Sequence, residues 1–215
     1  MFFLDPHKHE DLKKNILYEP EKELPMNQNI GAFMRVLDAN DNSTGGGTAS
    51  CIAGAMAAGL TAMVARLSMG KKDLAPQEHY EAIASEAESL AETLFDGGSR
   101  DAAAYDAVVS AFRLPKDTED AKAARSRAIQ KAMVHAAEVP LANAKRCKQV
   151  LMLCQTLEDS YNTNAASDLE CAGYLALAGL KGSAANVRIN LPSIKDPEIC
   201  QEFERALEKL LDGVL

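Results

Sequence analysis

The chain has 215 residues, enough for one well-formed core, and no internal shift of composition asks for a second domain. Its 31 acidic residues against 23 basic ones leave a net charge of −8, which argues against a nucleic-acid surface or an anionic-membrane surface and suits a soluble cytoplasmic protein. The five cysteines (Cys51, Cys147, Cys154, Cys171, Cys200) are odd in number and show neither a CxxC pair nor zinc spacing with histidine, so free thiols in a reducing compartment and no metal centre are expected.

Residues 1–27 read as an N-terminal extension, mixed in charge and carrying Pro6, Pro20 and Pro25, with one short helix expected from Glu10 to Tyr18. His7 and His9 lack an acidic or cysteine partner and are expected to be solvated. No cationic flank, long apolar core and cleavage pattern marks a signal peptide. A single helical domain is expected over 28–215. It opens with a short amphipathic helix over Asn29 to Ala39, where Ile30, Phe33, Met34 and Leu37 recur at helical spacing. Asn40-Asp41-Asn42-Ser43 is loop chemistry.

Gly45-Gly46-Gly47-Thr48 then leads into the uncharged run from Ala49 to Ala65. Three glycines leave no side chain to block a ligand, and Thr48 is placed as the N-cap of the helix that follows. A helix apolar all round and rich in Ala and Gly is expected to lie buried among close-packed neighbours rather than to cross a membrane. Its N-terminus, with free N–H groups and the positive end of the dipole, suits a carboxylate, a phosphate or a developing negative charge. The run lacks the Gly-Lys-Ser/Thr of a phosphate-binding loop and the GxGxxG of a dinucleotide fold, so a tight entry turn is the plain alternative. Gly70 is placed as its C′ residue. Lys71 and Lys72 follow, as complements to the helix's negative end or as contacts for an anionic tail.

Gln77 to Phe95 carries one apolar stripe, Tyr80, Ile83, Ala87, Leu90 and Leu94, and Gly97-Gly98 is expected to break it. Ser99 or Arg100 would open the next helix, which stops at Leu114-Pro115-Lys116. Asp117 or Thr118 caps another, with Glu119 and Asp120 in its first turn, running to Glu138-Val139. Pro140 is placed at the first position of the helix after that. Beyond Asn162-Thr163-Asn164, Ser167 and Asp168 open a second small-residue helix, Leu169 to Ala185, and Asp196 to Leu211 closes the chain. No stretch alternates with a period of two. The expected fold is all-α: a single-domain antiparallel bundle with two small-residue central helices.

The conspicuous polar groups are few. Asp101 and Asp168 both stand at expected helix starts, where an acid satisfies the dipole whether or not it does chemistry. Lys116 reads as a solvated loop lysine unless a ligand engages it. His135 is mid-helix and reads as packed or surface-exposed rather than as a base. No Ser/His/Asp order or nucleophile elbow is present.

Several segments taken together resemble one family, the cyclodeaminase/cyclohydrolase enzymes of one-carbon folate metabolism. They are Gly45 to Ser50, Asp101-Ala102-Ala103-Ala104-Tyr105, Arg113-Leu114-Pro115-Lys116, Glu138-Val139-Pro140-Leu141, Asn164-Ala165-Ala166-Ser167-Asp168 and Asn186-Val187-Arg188-Ile189-Asn190. Each is weak alone; their order and spacing carry the likeness. Thr44 stands where the family usually has proline, and residues 1–27 are additional.

The resemblance implies an all-helical, homodimeric enzyme with no metal and no bound cofactor, taking a tetrahydrofolate derivative as substrate. Formimidoyltetrahydrofolate cyclodeaminase is placed first, forming 5,10-methenyltetrahydrofolate and ammonia. Methenyltetrahydrofolate cyclohydrolase, giving 10-formyltetrahydrofolate, is the alternative within the family, and a non-catalytic folate-binding homodimer the alternative outside it. On this reading Asp101 or Asp168 offsets the amidinium charge and acts as base, Lys116 protonates a leaving nitrogen or holds a carboxylate, and Tyr105 assists as a donor. Gly45, Gly46, Gly47 and Thr48 hold the folate glutamate or an oxyanion through backbone N–H groups. Asn164 and Asn190 pair with the pteridine edge, and Arg188, Lys71 and Lys72 with a polyglutamate tail.

Overall fold

The computed structural model describes residues 28–40 and 44–214. The expected short helix at Glu10 to Tyr18, His7 and His9 all lie outside them. Among the described residues six α-helices follow in order: α1 (Gln28–Val36), α2 (Gly46–Ser68), α3 (Gln77–Phe112), α4 (Glu119–Glu158), α5 (Ala166–Asn190) and α6 (Pro197–Leu211). Single 3-10 turns, Thr163–Ala165 and Leu191–Ser193, flank α5. Among the described residues there is no strand.

Helix α2 is the element the others pack around. It is long and apolar enough to cross a membrane, yet most of its faces are buried against α3, α4 and α5. Cross-contacts fix the directions. Thr48 meets Gly98 and Arg66 pairs with Glu88, so α3 runs antiparallel to α2. Gly46 lies by Asn186 while Leu67 meets Asn162, so α5 is antiparallel to α2 as well. Cys51 meets Asn143 and Thr61 meets Cys154, so α4 runs alongside α2 in the same sense. The result is an up-and-down bundle. Its main core gathers Val64, Tyr80, Leu94, Val150, Leu157 and Leu180; a second cluster around Val187, Phe203 and Leu207 seats the amphipathic α6.

Small residues set how closely α2 and α5 approach. A Cβ on Gly179 would stand 2.9 Å from the Ser50 carbonyl oxygen and 3.1 Å from the Gly54 amide nitrogen. Both are backbone atoms and cannot rotate away. Gly179→Ala is therefore expected to force the helices apart at a cost of about 1–3 kcal/mol, as overpacking does. Thermal unfolding by circular dichroism should register a lower Tm, by roughly 2–10 °C for a chain of this size.

Two expected breaks are absent, for tertiary reasons. Gly97 and Gly98 lie inside α3, which runs unbroken to Phe112. A Cβ on Gly97 would stand 2.7 Å from Asn143 Oδ1, and one on Gly98 3.1 Å from Thr48 Cγ2. The pair lets α3 close on α4 and α2, which outweighs the roughly 1 kcal/mol per residue that glycine costs a helix interior. Pro140 likewise lies inside α4, fully buried, rather than opening a new helix. Proline lacks the N–H that would bond the carbonyl four residues earlier. That carbonyl, on Ala136, instead accepts from Asn190 Nδ2 at 2.9 Å. Other boundaries agree with the sequence reading: Thr118 accepts from the Ala121 amide as N-cap of α4, Asp196 caps α6, and Gly70 takes φ +65 after α2.

Candidate active site at the head of helix α2

The N-cap of α2 is Gly45, which has no side chain to satisfy the first-turn amides. Thr48 is not the cap but the third residue of the helix, with its hydroxyl turned 3.3 Å from the Gly98 carbonyl and 3.5 Å from Asp101 Oδ2. The missing acceptor comes from the neighbouring helix. Asp101, on α3, brings its carboxylate to the opening turn of α2, where the Thr48 amide and hydroxyl both donate to it. A Cβ on Gly47 would lie 2.2 Å from Asp101 Oδ2 and 2.5 Å from Oδ1. Glycine at 47 is thus what gives the carboxylate its place.

Burial raises the Asp101 pKa above the usual carboxylate value, and the two Thr48 hydrogen bonds pull it part of the way back. Among the described residues no cation forms an ion pair with it. A half-buried carboxyl with a raised pKa, unpaired and at the positive end of a buried helix, holds its proton more readily than an ordinary carboxylate and is the candidate acid–base group here.

Around it stand groups that the sequence did not single out. Asn186, on α5, sits by Gly46 and donates to the Gly182 carbonyl at 3.1 Å. Ser50 turns its hydroxyl back to the Gly46 carbonyl at 2.5 Å, in a space that glycine at 182 leaves open. Asn143, on α4, donates from Nδ2 to Cys51 Sγ at 3.0 Å, and Arg146 Nη1 lies 3.5 Å from its Oδ1. Burial pushes the Cys51 thiol strongly up, with Asp101 adding to the shift, and raises Cys147 to about 12, so neither is a thiolate nucleophile. The one signal for Asn143 was a polar residue on the buried stripe with Pro140, Ala144 and Cys147.

The expected site residues separate into two groups. Gly45, Gly46, Gly47, Thr48 and Asp101 meet at the head of α2. Tyr105 lies one helical turn along α3 from Asp101 and is exposed. Asn190 is on the adjoining part of α5, but its amide nitrogen is committed to the Ala136 and Asn186 carbonyls. Arg188 pairs with Glu204 on α6 at 3.6 Å. Lys116 is on the exposed turn after α3, beyond a stretch of helix roughly 16 Å long counted from Asp101. Lys71, Lys72, Asn164 and Asp168 gather at the opposite end of α2, about 34 Å away by helix rise. Within the chain, Asp101 and Asp168 do not share a site. Among the described residues no three His, Cys, Asp or Glu side chains converge as a metal would require.

An all-helical bundle with an unpaired carboxylate at the head of its central helix defines the class. Residues 29–209 match the family model described as formiminotransferase-cyclodeaminase, and the chain belongs to that family. The methenyltetrahydrofolate cyclohydrolase of Methylorubrum extorquens is 37% identical over 186 residues, 86% of this chain and 89% of that protein. The formimidoyltransferase-cyclodeaminase of Rattus norvegicus is 28% identical over 202 residues; these are 89% of this chain but only 36% of that longer protein. The solved formiminotetrahydrofolate cyclodeaminase of Thermotoga maritima superposes with a TM-score of 0.73 at 28% identity, over 82% of this chain and 84% of that one.

Proposed function

We propose that the protein is an enzyme acting on the one-carbon bridge of a tetrahydrofolate, and that its reaction is that of a methenyltetrahydrofolate cyclohydrolase. This reverses the order expected from sequence. The cyclohydrolase likeness extends over nearly the whole of both chains at the higher identity, which favours hydrolysis. The fold likeness to a cyclodeaminase keeps ring closure with loss of ammonia as the second reading.

The observation that carries the proposal is the Asp101 carboxyl, half-buried and held at the first turn of α2 by Thr48. In the hydrolytic direction water adds to the amidinium carbon, Asp101 takes the proton from that water, and the carbon–N5 bond breaks to give the 10-formyl product. The released nitrogen takes that proton back from Asp101, and the second proton of the water, lost as the carbinolamine hydroxyl becomes the formyl carbonyl, goes to solvent. The ionised carboxylate also offsets the cationic carbon before attack. Asp101 is the base in this reading; Asp168, at the other end of α2, is not. Thr48 supplies the amide that holds the carboxylate, and Gly47 leaves the space that it occupies. Neither a metal nor a resident cofactor takes part, and the buried free thiols suit a reducing cytoplasm.

A homodimer belongs to the same reading. Helix α2 leaves Met56, Met63 and Leu67 at 49%, 37% and 45% exposure along one stripe. A second copy covering that stripe would bury it. Met63→Glu is expected to lower the mass measured by analytical ultracentrifugation by about half, from dimer to monomer. A wild-type mass of one chain would refute the dimer.

The functional test follows the near-ultraviolet methenyl absorbance of purified protein in two cuvettes. Faster loss with methenyltetrahydrofolate supports hydrolysis. A rise with formimidoyltetrahydrofolate, with ammonia released, supports cyclodeaminase. Acceleration in neither rejects the enzymatic reading for these substrates and leaves a folate-binding protein.

A further inference from the structure

We propose that Arg100 of α3 and Arg146 of α4 form an anion subsite beside Asp101 that takes the carboxylates of the substrate's glutamyl tail; the assignment rests on the tetrahydrofolate reading above. Both arginines line one cavity of about 230 Å3 between the two helices, with His135, Glu138, Ala142 and Asn143. Sites that enclose a whole drug-sized ligand run to roughly 300–1,000 Å3, so this space suits an end group.

Both guanidiniums are tethered yet keep donors free. Arg100 donates from Nη2 to the Thr93 carbonyl at 2.8 Å. Arg146 leans on Asn143, which is 2% exposed and anchored to Cys51. A guanidinium carries five N–H donors in a planar fork, so each has a face left for a carboxylate. Among the described residues neither arginine lies within ion-pair distance of an acid. Glu138 is the acidic lining residue, and it pairs with His135 at 3.3 Å where both are more than half exposed. The two arginines feel each other: after burial, Arg100 is what most lowers the Arg146 pKa. Two like charges facing one cavity repel, and a bound carboxylate pair relieves that repulsion.

Position argues for the tail rather than the reacting end. Arg100 adjoins Asp101 in the chain, and Cys51 lies within electrostatic reach of Asp101, Arg100 and Arg146 alike. A cationic amidinium carbon beside the arginines would be repelled. In this proposal the amidinium carbon sits at Asp101 and the glutamyl carboxylates, one aminobenzoyl unit away, occupy the arginine-lined cavity. Lys71 and Lys72, at the far end of α2, are too distant for a first glutamate.

The test compares Arg146→Gln and Arg100→Gln on methenyltetrahydrofolate and on the methenyl pteroyl methylamide analogue, in which a neutral amide replaces the glutamate. Each substitution is expected to raise KM for the glutamyl substrate about tenfold or more, with kcat changed less than about twofold. On the methylamide analogue the added penalty should fall below about twofold, because the partner carboxylates are already gone. An equal penalty on both substrates, or an unchanged KM on the glutamyl one, overturns the subsite. If the glutamine variants fail to fold, Arg146→Lys keeps the charge without the planar fork and should raise KM on the glutamyl substrate alone. If the wild type turns over neither, the cyclohydrolase reading falls and the same comparison is made with the formimidoyl substrates; failure there too removes the tetrahydrofolate reading and the subsite with it, whereas wild-type turnover with an unselective penalty removes only the subsite.

Discussion

Asp101→Asn is expected to lower kcat by about 10²–10⁴-fold, the usual worth of a positioned acid–base group, while leaving a protein that is folded and melts at a higher temperature than the wild type. The two halves of that result have one physical cause. The carboxylate is held where burial disfavours its charge, and the Thr48 amide and hydroxyl compensate only in part. An amide of the same shape still accepts from Thr48 through its oxygen but carries no charge to desolvate. A residue kept only as a cap would behave in the opposite way, losing stability on substitution and leaving turnover intact. Circular-dichroism melts and methenyl turnover, measured on one preparation, distinguish the two. Wild-type kcat in the variant would take Asp101 out of the mechanism.

The same shift sets the pH dependence. Because the folded-state pKa of Asp101 is raised, the native state binds more protons than the unfolded chain between the two values. Asp101 therefore favours folding below its unfolded pKa, and that contribution is lost as pH rises through the folded one. Activity runs the other way, since the base must be ionised. The acid limb of kcat should lie above the ordinary carboxylate range, and in Asp101→Asn that limb should be missing.

Much of this fold was legible because its central helix is unusual in composition. An uncharged run of Ala, Gly and small residues admits few positions other than a crowded interior, and α2 occupies that interior. The helix breaks at Gly97-Gly98 and Pro140 were misplaced because local propensity cannot see that Asn143 and Thr48 need the space of those glycines, or that Asn190 takes up the carbonyl that Pro140 leaves free. The site was half legible. Asp101 and the glycine loop were singled out separately, but nothing local says that the carboxylate of one caps the helix begun by the other. Asn143, Asn186 and Arg146 were passed over because a polar residue inside a long helix gives no sign of the neighbour it faces. Lys71, Lys72, Asn164 and Asp168 stand apart from Asp101 in the chain, since segments that a family likeness groups together can lie at opposite ends of a helix.

The three glycines should differ sharply when each is changed to alanine, although their sequence context is nearly the same. At Gly45 an added Cβ meets nothing within 4 Å, and turnover should stay within about twofold of wild type, since an exposed position free of contacts shifts stability by only ~0.5 kcal/mol. At Gly46 it stands 3.1 Å from Asn186 Nδ2, a side-chain end able to shift by a few tenths of an ångström, and a modest loss is expected. At Gly47 it would overlap both oxygens of Asp101. That carboxylate can rotate toward solvent, so folding has an escape route, but a base displaced by about 1 Å commonly costs on the order of 10²-fold in rate. Gly47→Ala should thus resemble Asp101→Asn in kcat while keeping the carboxyl. The double variant should lose little more than either single one, because both changes remove the same positioned group. Equal effects at 45 and 47 would mean that the loop acts through its flexibility, and the assignment of Asp101 as a carboxylate held in place by Gly47 would be wrong.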